Sequence, residues 1–459
     1  VGTILYTSTL NDLAATEGTS PYSGNTIYVA QADGFSVIQE KQADETNGSV
    51  RYVGKSFASG ELVGSAKAAW PMTTTTTLPS LARDFALGVT GGKLWNLSVI
   101  GTGQTSVAGA RENGWAFDAT STANGVYTPT AITSYDIANV TDWHDLSNTG
   151  ASVQRAQEFQ VSSTGNIAEV WIPLQRTGTP GGNVCVEVQT DTTGLPSGTL
   201  LGNAATCFPA NSVPTTGQWM GFQWLVASPT YPNPAVSTVY HLVIRTDASY
   251  SYSAGVNMLE VGADNTSPTY ASGELETYSG GAWANNATID MAFALYYQDE
   301  AFVLYDGFTI SAWISQTTTA GVRAIVSRRD NTAASGWSLH LGTDNAVIFN
   351  PVGQTALTAL SIPQQEWMHL AYVAGTGSNA DIIYINGQPV VTGTKNINRP
   401  TAALLRIGAW ESPWGTVDTT SQAKSTWVDE VQVVSEALTA AQVLRIYQAG
   451  VNAITQRTA

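Results

Sequence analysis

The side chains able to do chemistry are sparse: four histidines (His144, His241, His340 and His369), two cysteines (Cys185 and Cys207) and 35 acidic residues spread through 459. The histidines fall in strand-like or loop settings without metal-ligand spacing, and the chain has neither a Gly-x-Ser-x-Gly elbow nor a phosphate loop. Hydrolysis of a glycosidic bond needs two carboxylates at a fixed separation on either side of it. The nearest acidic pairs, Asp299-Glu300 and Asp429-Glu430, are adjacent in sequence, and neighbours on a strand point to opposite faces. No catalytic residue is therefore assigned, and the chain reads as non-enzymatic. Asp142-Trp-His-Asp145 is the one local group that could hold a metal, and a polar loop is the simpler account of it. Cys185 and Cys207 lie on two strand-like runs joined by a Gly/Pro turn. They either pair, which requires Cα atoms within roughly 7 Å, or remain two buried thiols. Without a Cys-x-x-Cys or Cys/His cluster, a structural zinc site is not expected.

Aromatic side chains offer a different chemistry, because sugar rings stack on exposed Trp and Tyr. Of 14 Trp and 18 Tyr, the leading ligand-binding candidates are Trp410 and Trp414 in Trp410-Glu-Ser-Pro-Trp414, where Pro413 and Gly415 mark a loop and core-strand alternation is missing. Tyr250-Ser-Tyr252 and the stretch from Tyr278 to Trp283 rank below them. Charge narrows the partners: 19 Lys and Arg against 35 Asp and Glu give a net −16, which opposes a phosphate backbone, so no nucleic-acid partner is expected. No run approaches the roughly 18 apolar residues of a membrane span, and no membrane insertion is expected. The opening Val1-Gly-Thr-Ile-Leu5 lacks the basic and apolar regions of a signal peptide. Export through a signal removed before Val1, and assembly into a virus particle after loss of an initiator Met, both fit.

The elements that must position these groups are short strands. Thr26-Ile-Tyr-Val-Ala30, Ala168-Glu-Val-Trp-Ile172, Val184-Cys-Val-Glu-Val188, Tyr240-His-Leu-Val-Ile244 and Ile382-Ile-Tyr-Ile385 are each bounded by Gly, Pro, Asn, Asp or Ser. That spacing, with 12% charged residues, predicts an all-β chain of antiparallel sandwiches. Leu438, Val443, Leu444 and Tyr447 carry helical spacing, with Ser435 and Thr439 as caps and Gly450 as the expected end. Met72 to Pro79, with five consecutive threonines, reads as a linker and places a boundary near Leu81. The segment before it has strand-like pieces and a short helix near Leu10 to Ala15.

A specific order of pieces fills the C-terminal part. It runs Phe308-Thr-Ile-Ser-Ala-Trp-Ile314, Ala324-Ile-Val-Ser327, Gly336-Trp-Ser-Leu-His-Leu341, Glu366-Trp-Met-His-Leu-Ala-Tyr-Val373 and Ile382-Ile-Tyr-Ile-Asn-Gly-Gln-Pro-Val390. Leu404-Leu-Arg-Ile-Gly408 and Trp427-Val-Asp-Glu-Val-Gln-Val433 follow, leading into Ala437-Leu-Thr-Ala-Ala-Gln-Val-Leu444. From Gly307 onward the chain resembles the laminin G-like (concanavalin A-like) jelly-roll family. In that pattern Asn386-Gly387 is a hairpin turn, while Trp367 and His369 match core or turn positions. The family's opening strands are found far upstream, in Lys93-Leu-Trp-Asn-Leu-Ser98 and Glu112-Asn-Gly-Trp-Ala-Phe-Asp118, and the next arrives only at Phe302-Val-Leu-Tyr305. Between them, Gln157-Glu-Phe-Gln-Val161, Asp191-Thr-Thr-Gly-Leu-Pro-Ser-Gly198 and Met291-Ala-Phe-Ala-Leu295 resemble jelly-roll modules of bacterial surface and phage structural proteins.

The resemblance implies two antiparallel jelly-roll sandwiches, one inserted in a loop of the other. The expected divisions are an N-terminal attachment segment (1–80), the first strands of the laminin G-like sandwich (81–132), an inserted sandwich (133–299) and the remainder of the first (300–459). Related enzymes carry a Glu-x-Asp-x-x-Glu run, which this chain lacks. Some members bind calcium at the rim through oxygen ligands; Asp118, Asp344, Asn345 and Asp418 are loop residues of that type, and no other cofactor is implied. The functional expectation is a non-enzymatic structural or adhesion protein of a virion (phage capsid decoration or fibre) or a cell surface. Its expected partners are other virion or surface subunits, further copies of itself in a homo-oligomer, and cell-surface glycans. A secreted bacterial lectin-like adhesin and a divergent carbohydrate-active enzyme are the alternatives.

Overall fold

The computed structural model describes residues 27–32, 35–42, 51–58, 66–70, 81–82, 97–100, 102, 104–108, 113–148, 151–202, 205–224, 231–297, 307–317, 321–331, 335–352, 354–375, 380–394, 402–412, 414–434 and 437–457. Sheet I runs Gln388–Gly393, Asp381–Ile385, Met368–Ala374, Phe308–Gln316, Thr426–Val434, Asn113–Phe117, Gln104–Ala108. Sheet II runs Leu357–Ser361, Ala346–Pro351, Ser335–Leu341, Arg323–Asp330, Leu405–Ile407, Asn124–Tyr127, Leu97–Ile100, Leu81–Ala82. Alternation decides what lies between them: Phe308, Ile310, Ala312 and Ile314 point inward, as their spacing requires, and meet Trp337, Leu339, Leu341, Val347 and Phe349 in one core.

A second pair of sheets is built wholly from strands between Thr133 and Tyr297. Sheet III runs Thr133–Tyr135, Phe293–Tyr297, Ile167–Thr177, Met258–Asp264, Asp142–Asp145, with Gln218–Gln223 also on Ile167–Thr177. Sheet IV runs Pro196–Leu200, Asn183–Asp191, Tyr240–Thr246, Gln154–Phe159, Leu275–Ser279, Ala282–Asn286, with Thr206–Pro209 also on Asn183–Asp191. Their inner faces share a core of Val170, Ile172, Leu174, Val184, Val186, Phe222, Leu242, Ile244 and Phe293, among others. Among the described residues, the strands of sheets III and IV therefore fall in chain order between Asn124–Tyr127 and Phe308–Gln316 of sheets II and I.

Several local expectations meet their physical outcome here. Asn386 and Gly387 take φ of 51° and 75°, the left-handed pair that a two-residue hairpin between Ile385 and Gln388 needs. Thr439 caps the helix Ala440–Arg457 reciprocally with Gln442: the Gln442 N–H donates to Thr439 Oγ1 at 3.3 Å and the Thr439 N–H to Gln442 Oε1 at 2.8 Å. Gly450 does not end this helix, which continues to Arg457. It lies flush against Trp313, whose indole occupies the place of a Cβ, so its role is close approach rather than termination. Asp142–Asp145 is a strand paired with Met258–Asp264 and not a loop. Asp429-Glu430 falls on a bulge: the register with Phe308–Gln316 shifts there and Glu430 has φ 50°, so simple alternation does not hold at this pair. Ala66–Trp70 pairs with Thr426–Val434, joining part of the N-terminal segment to sheet I. The expectations at Leu10 to Ala15, Met72 to Pro79, Asp299-Glu300, Phe302 to Tyr305 and Ser435 lie outside the described residues.

The sandwiches meet through a shared apolar patch in which Trp171, Trp219 and Tyr296 of sheet III pack with Ala402, Leu404 and Trp414. Beside it Arg328 of sheet II forms an ion pair with Glu169 of sheet III, both buried, and Gln223 Nε2 donates to the same carboxylate oxygen at 2.9 Å. Within sheet IV, Cys185 and Cys207 are directly opposite in register and joined as a disulfide across a separation of 22 residues. Such a bond is sustained in oxidising compartments. Closing a loop of that length is expected to stabilise the chain by about 3 kcal/mol. Urea denaturation of wild type against Cys185→Ala/Cys207→Ala measures it, and a loss under about 1 kcal/mol would overturn the expectation. No helix among the described residues is long and apolar enough to cross a membrane.

Candidate functional site

Of the two tryptophans that the sequence put forward, Trp410 is buried and Trp414 is partly buried. Trp410 is only 5% exposed. Its Nε1 donates to Asp418 Oδ2 at 3.1 Å, the Arg329 guanidinium lies 4.2 Å from its ring centroid, and His340 meets it edge-on. Trp414 is half-buried, donates to the Ala402 carbonyl at 2.9 Å, and sits against Trp171 and Trp219 of the other sandwich. Burial leaves Trp410 no open face for stacking, while Trp414 keeps part of its surface exposed at the junction of the two sandwiches. The physical cause is Glu411 between them. It is fully buried, accepts from Arg406 Nε and Nη2 at 2.9 and 2.7 Å and from the Gly415 N–H, and so ties the loop down. A charged residue in a loop reads as solvated in a sequence; here it is the anchor.

The calcium candidates are likewise committed locally. Asp118 and Asp418 each accept from the N–H and hydroxyl of the threonine two residues on, Asp344 accepts from the Ala346 N–H, and Asn345 Oδ1 accepts from Arg323. Among the described residues no three His, Cys, Asp or Glu side chains are placed to hold a metal ion, the Asp142 to Asp145 strand included. Tyr250 is half-buried against the second core, and burial pushes its hydroxyl up to about 12.

The remaining candidate stretch, Tyr278 to Trp283, is different. It forms the edge hairpin of sheet IV, turning through Gly280 and Gly281 at φ 64° and 95°, where a Cβ would meet only open space. Tyr278 and Trp283 are directly opposite across the hairpin, 5.3 Å between ring centroids, and both are half-buried. Register places them on the face of sheet IV turned away from the core. Leu275 faces in, so Glu276 and Tyr278 face out; Asn285 is opposite Glu276 and exposed. Phe159 and Tyr240 face in, so Glu158 and His241, opposite one another, face out on the same side.

That outer face is polar and acidic. Arg245 is paired with Glu187 at 3.1 Å. His241 is fully buried between two carboxylates, with Nδ1 2.8 Å from Glu276 Oε1 and Nε2 3.0 Å from Asp191 Oδ1. Burial pushes the Glu276 carboxyl up to about 6 against the pull of His241, and its Oε2 is buried without a hydrogen-bond partner. Burial lowers the His241 pKa, but the bonds and charges of Glu276 and Asp191 outweigh it, and the net shift is upward. Burial also raises Glu158. The arrangement presents an aromatic pair, an exposed amide and carboxylate oxygens along one sheet face: ring surface for an apolar sugar face and acceptors for its hydroxyls.

Residues 294–444 match the family model of the concanavalin A-like lectin/glucanases superfamily. The C-terminal part of the chain is a laminin G-like, concanavalin A-like sandwich. Solved structures similar in fold include the native heptameric SAP-like pentraxin from Limulus polyphemus (20% identity, 30% of this chain and 68% of that one, TM-score 0.25). A second is the CBM40 domain of the Ruminococcus gnavus IT-sialidase bound to α2,3-sialyllactose (13%, 31% and 84%, TM-score 0.27). A third is domain 4 of AbnA, a GH43 extracellular arabinanase from Geobacillus stearothermophilus, in complex with arabinotriose (19%, 32% and 69%, TM-score 0.23). No curated protein matches the chain. The laminin G-like sandwich is a lectin-type fold, and Asn113–Phe117 pairs with Thr426–Val434 in its sheet I.

Proposed function

We propose that this is a non-enzymatic surface or virion protein that binds neutral glycans through the edge hairpin of the sandwich spanning residues 133–299, which is inserted in the laminin G-like one. The sheet order supports that division, and the half-open Tyr278/Trp283 pair beside Asn285 is the observation that carries the binding reading. Sugar class follows from charge. On this face Arg245 is already paired with Glu187 and His241 is enclosed by carboxylates, so an acidic glycan would meet Glu158 and Asp191 without a free countercharge. Neutral oligosaccharides fit better than sialylated ones. The disulfide supports display in an oxidising setting outside a cell or on a particle, where glycans are met.

A glycan array on the purified protein tests this reading. Trp283→Ala is expected to weaken binding of the neutral glycans by about 30-fold, the weight of one hot-spot aromatic, with thermal stability changed little because the hairpin tip is solvent-facing. Undiminished binding by this variant, or preference for sialylated glycans, would remove the site from consideration. Release of reducing sugar from bound glycans would favour the carbohydrate-active enzyme instead.

A further inference from the structure

The turn after Asn183–Asp191 crosses the polar face of sheet IV. Strand Asn183–Asp191 is separated from Ala282–Asn286 by three intervening strands, yet a Cβ built at Gly194 would lie 4.0 Å from Asn285 Nδ2. The turn closes on itself between Thr192 and Leu195, with Thr193 and Gly194 at φ 54° and 81°. Left-handed backbone is costly for a β-branched residue, and the two-residue turn of the hairpin between Asn183–Asp191 and Pro196–Leu200 imposes it on Thr193. Asp191 Oδ1 adds a side-chain tie from this turn to the sheet face: it accepts from the Gly194 N–H at 2.9 Å and faces His241 Nε2 at 3.0 Å.

His241 cannot satisfy both neighbours in its neutral form. Ionised carboxylates only accept, a neutral imidazole has a single N–H, and each ring nitrogen here faces a carboxylate oxygen. Only the imidazolium donates to Glu276 and Asp191 at once. We propose that the Asp191-His241-Glu276 bridge is a proton-dependent latch that holds residues 191–195 across the polar face and releases them when the imidazolium loses its proton. The groups facing His241 from the neighbouring strands are Glu276, Asp191 and Glu158, and Glu274 adds negative charge near Glu276. Arg245, two residues along the same strand, is held by Glu187. Deprotonation therefore leaves a neutral ring among acids. Release gives the buried Glu276 Oε2 access to water and widens the face beside Tyr278 and Trp283, so it regulates the site proposed above.

The sign follows from linkage. A histidine whose pKa is raised in the closed state stabilises closure fully below its free value of about 6.5, and that stabilisation is lost as pH rises through the raised value. Glu276, raised toward 6 by burial, acts in the same direction at lower pH. Hydrogen exchange of the peptide containing residues 190–198, corrected for the intrinsic rate at each pH, reads the latch without any sugar, so it fails or succeeds independently of the glycan reading. Protection in wild type is expected to fall about tenfold per pH unit above about 6.5 before levelling off. Asp191→Asn, at the exposed turn, is expected to show low protection already at pH 6 and a flattened profile; His241→Gln should behave alike if it folds. A wild-type profile that is flat from pH 6 to 9, or an Asp191→Asn profile that matches wild type, would overturn the latch.

Discussion

Arg328→Ala is expected to destabilise the protein by about 3–5 kcal/mol and to loosen the two sandwiches from each other. The guanidinium lies between them: its Nη2 meets Glu169 of sheet III, and its Nε donates to the Ala403 carbonyl at 3.0 Å. With both residues almost wholly enclosed, deleting the cation strands a carboxylate away from water, where desolvation dominates. The pair as a whole is worth far less than either half, so Arg328→Met combined with Glu169→Leu is expected to recover most of the loss. Calorimetric unfolding of the single and double variants distinguishes these cases. A cost under about 1 kcal/mol for Arg328→Ala would mean that water reaches the pair and that the interface is not closed.

Trp410→Ala is expected to cost a similar amount, about 3–5 kcal/mol, while leaving glycan affinity per folded molecule unchanged. The indole fills the space between Arg329 and His340, and its N–H satisfies Asp418. Trp410→Phe, which keeps most of the packing but drops the donor, should lie between wild type and alanine. Together with Trp283→Ala the two substitutions form opposite signatures, one a loss of stability with binding intact and the other a loss of binding with stability intact. Denaturation curves and binding isotherms on the same preparations separate them. Loss of affinity in well-folded Trp410→Ala would return the site to the laminin G-like sandwich.

Much of the architecture is legible in short stretches of sequence, and the reason is periodicity. Alternation in Phe308 to Ile314 named the inward side chains, Asn386-Gly387 named its turn, and Thr439 was one of two caps offered for the helix start, because each is a local rule with a period or a residue type attached. The likeness of Glu112 to Asp118 to a family opening strand was legible too, although its partner strand begins at Thr426. Residues whose meaning depends on distant neighbours found their place only when the chain folded. Trp410 and Trp414 read as an open loop, yet Glu411 ties that loop down, Trp410 is buried and Trp414 packs on the second sandwich. Gly450 read as a helix end until Trp313 occupied its missing side chain. His241 read as an ordinary strand histidine, since Asp191 is 50 residues away and Glu276 is 35, and only strand register sets all three on one sheet face. Local sequence specifies backbone shape and which side faces inward; burial, pairing of charge and exposure of an aromatic ring are sums over groups that the chain brings together only when it folds.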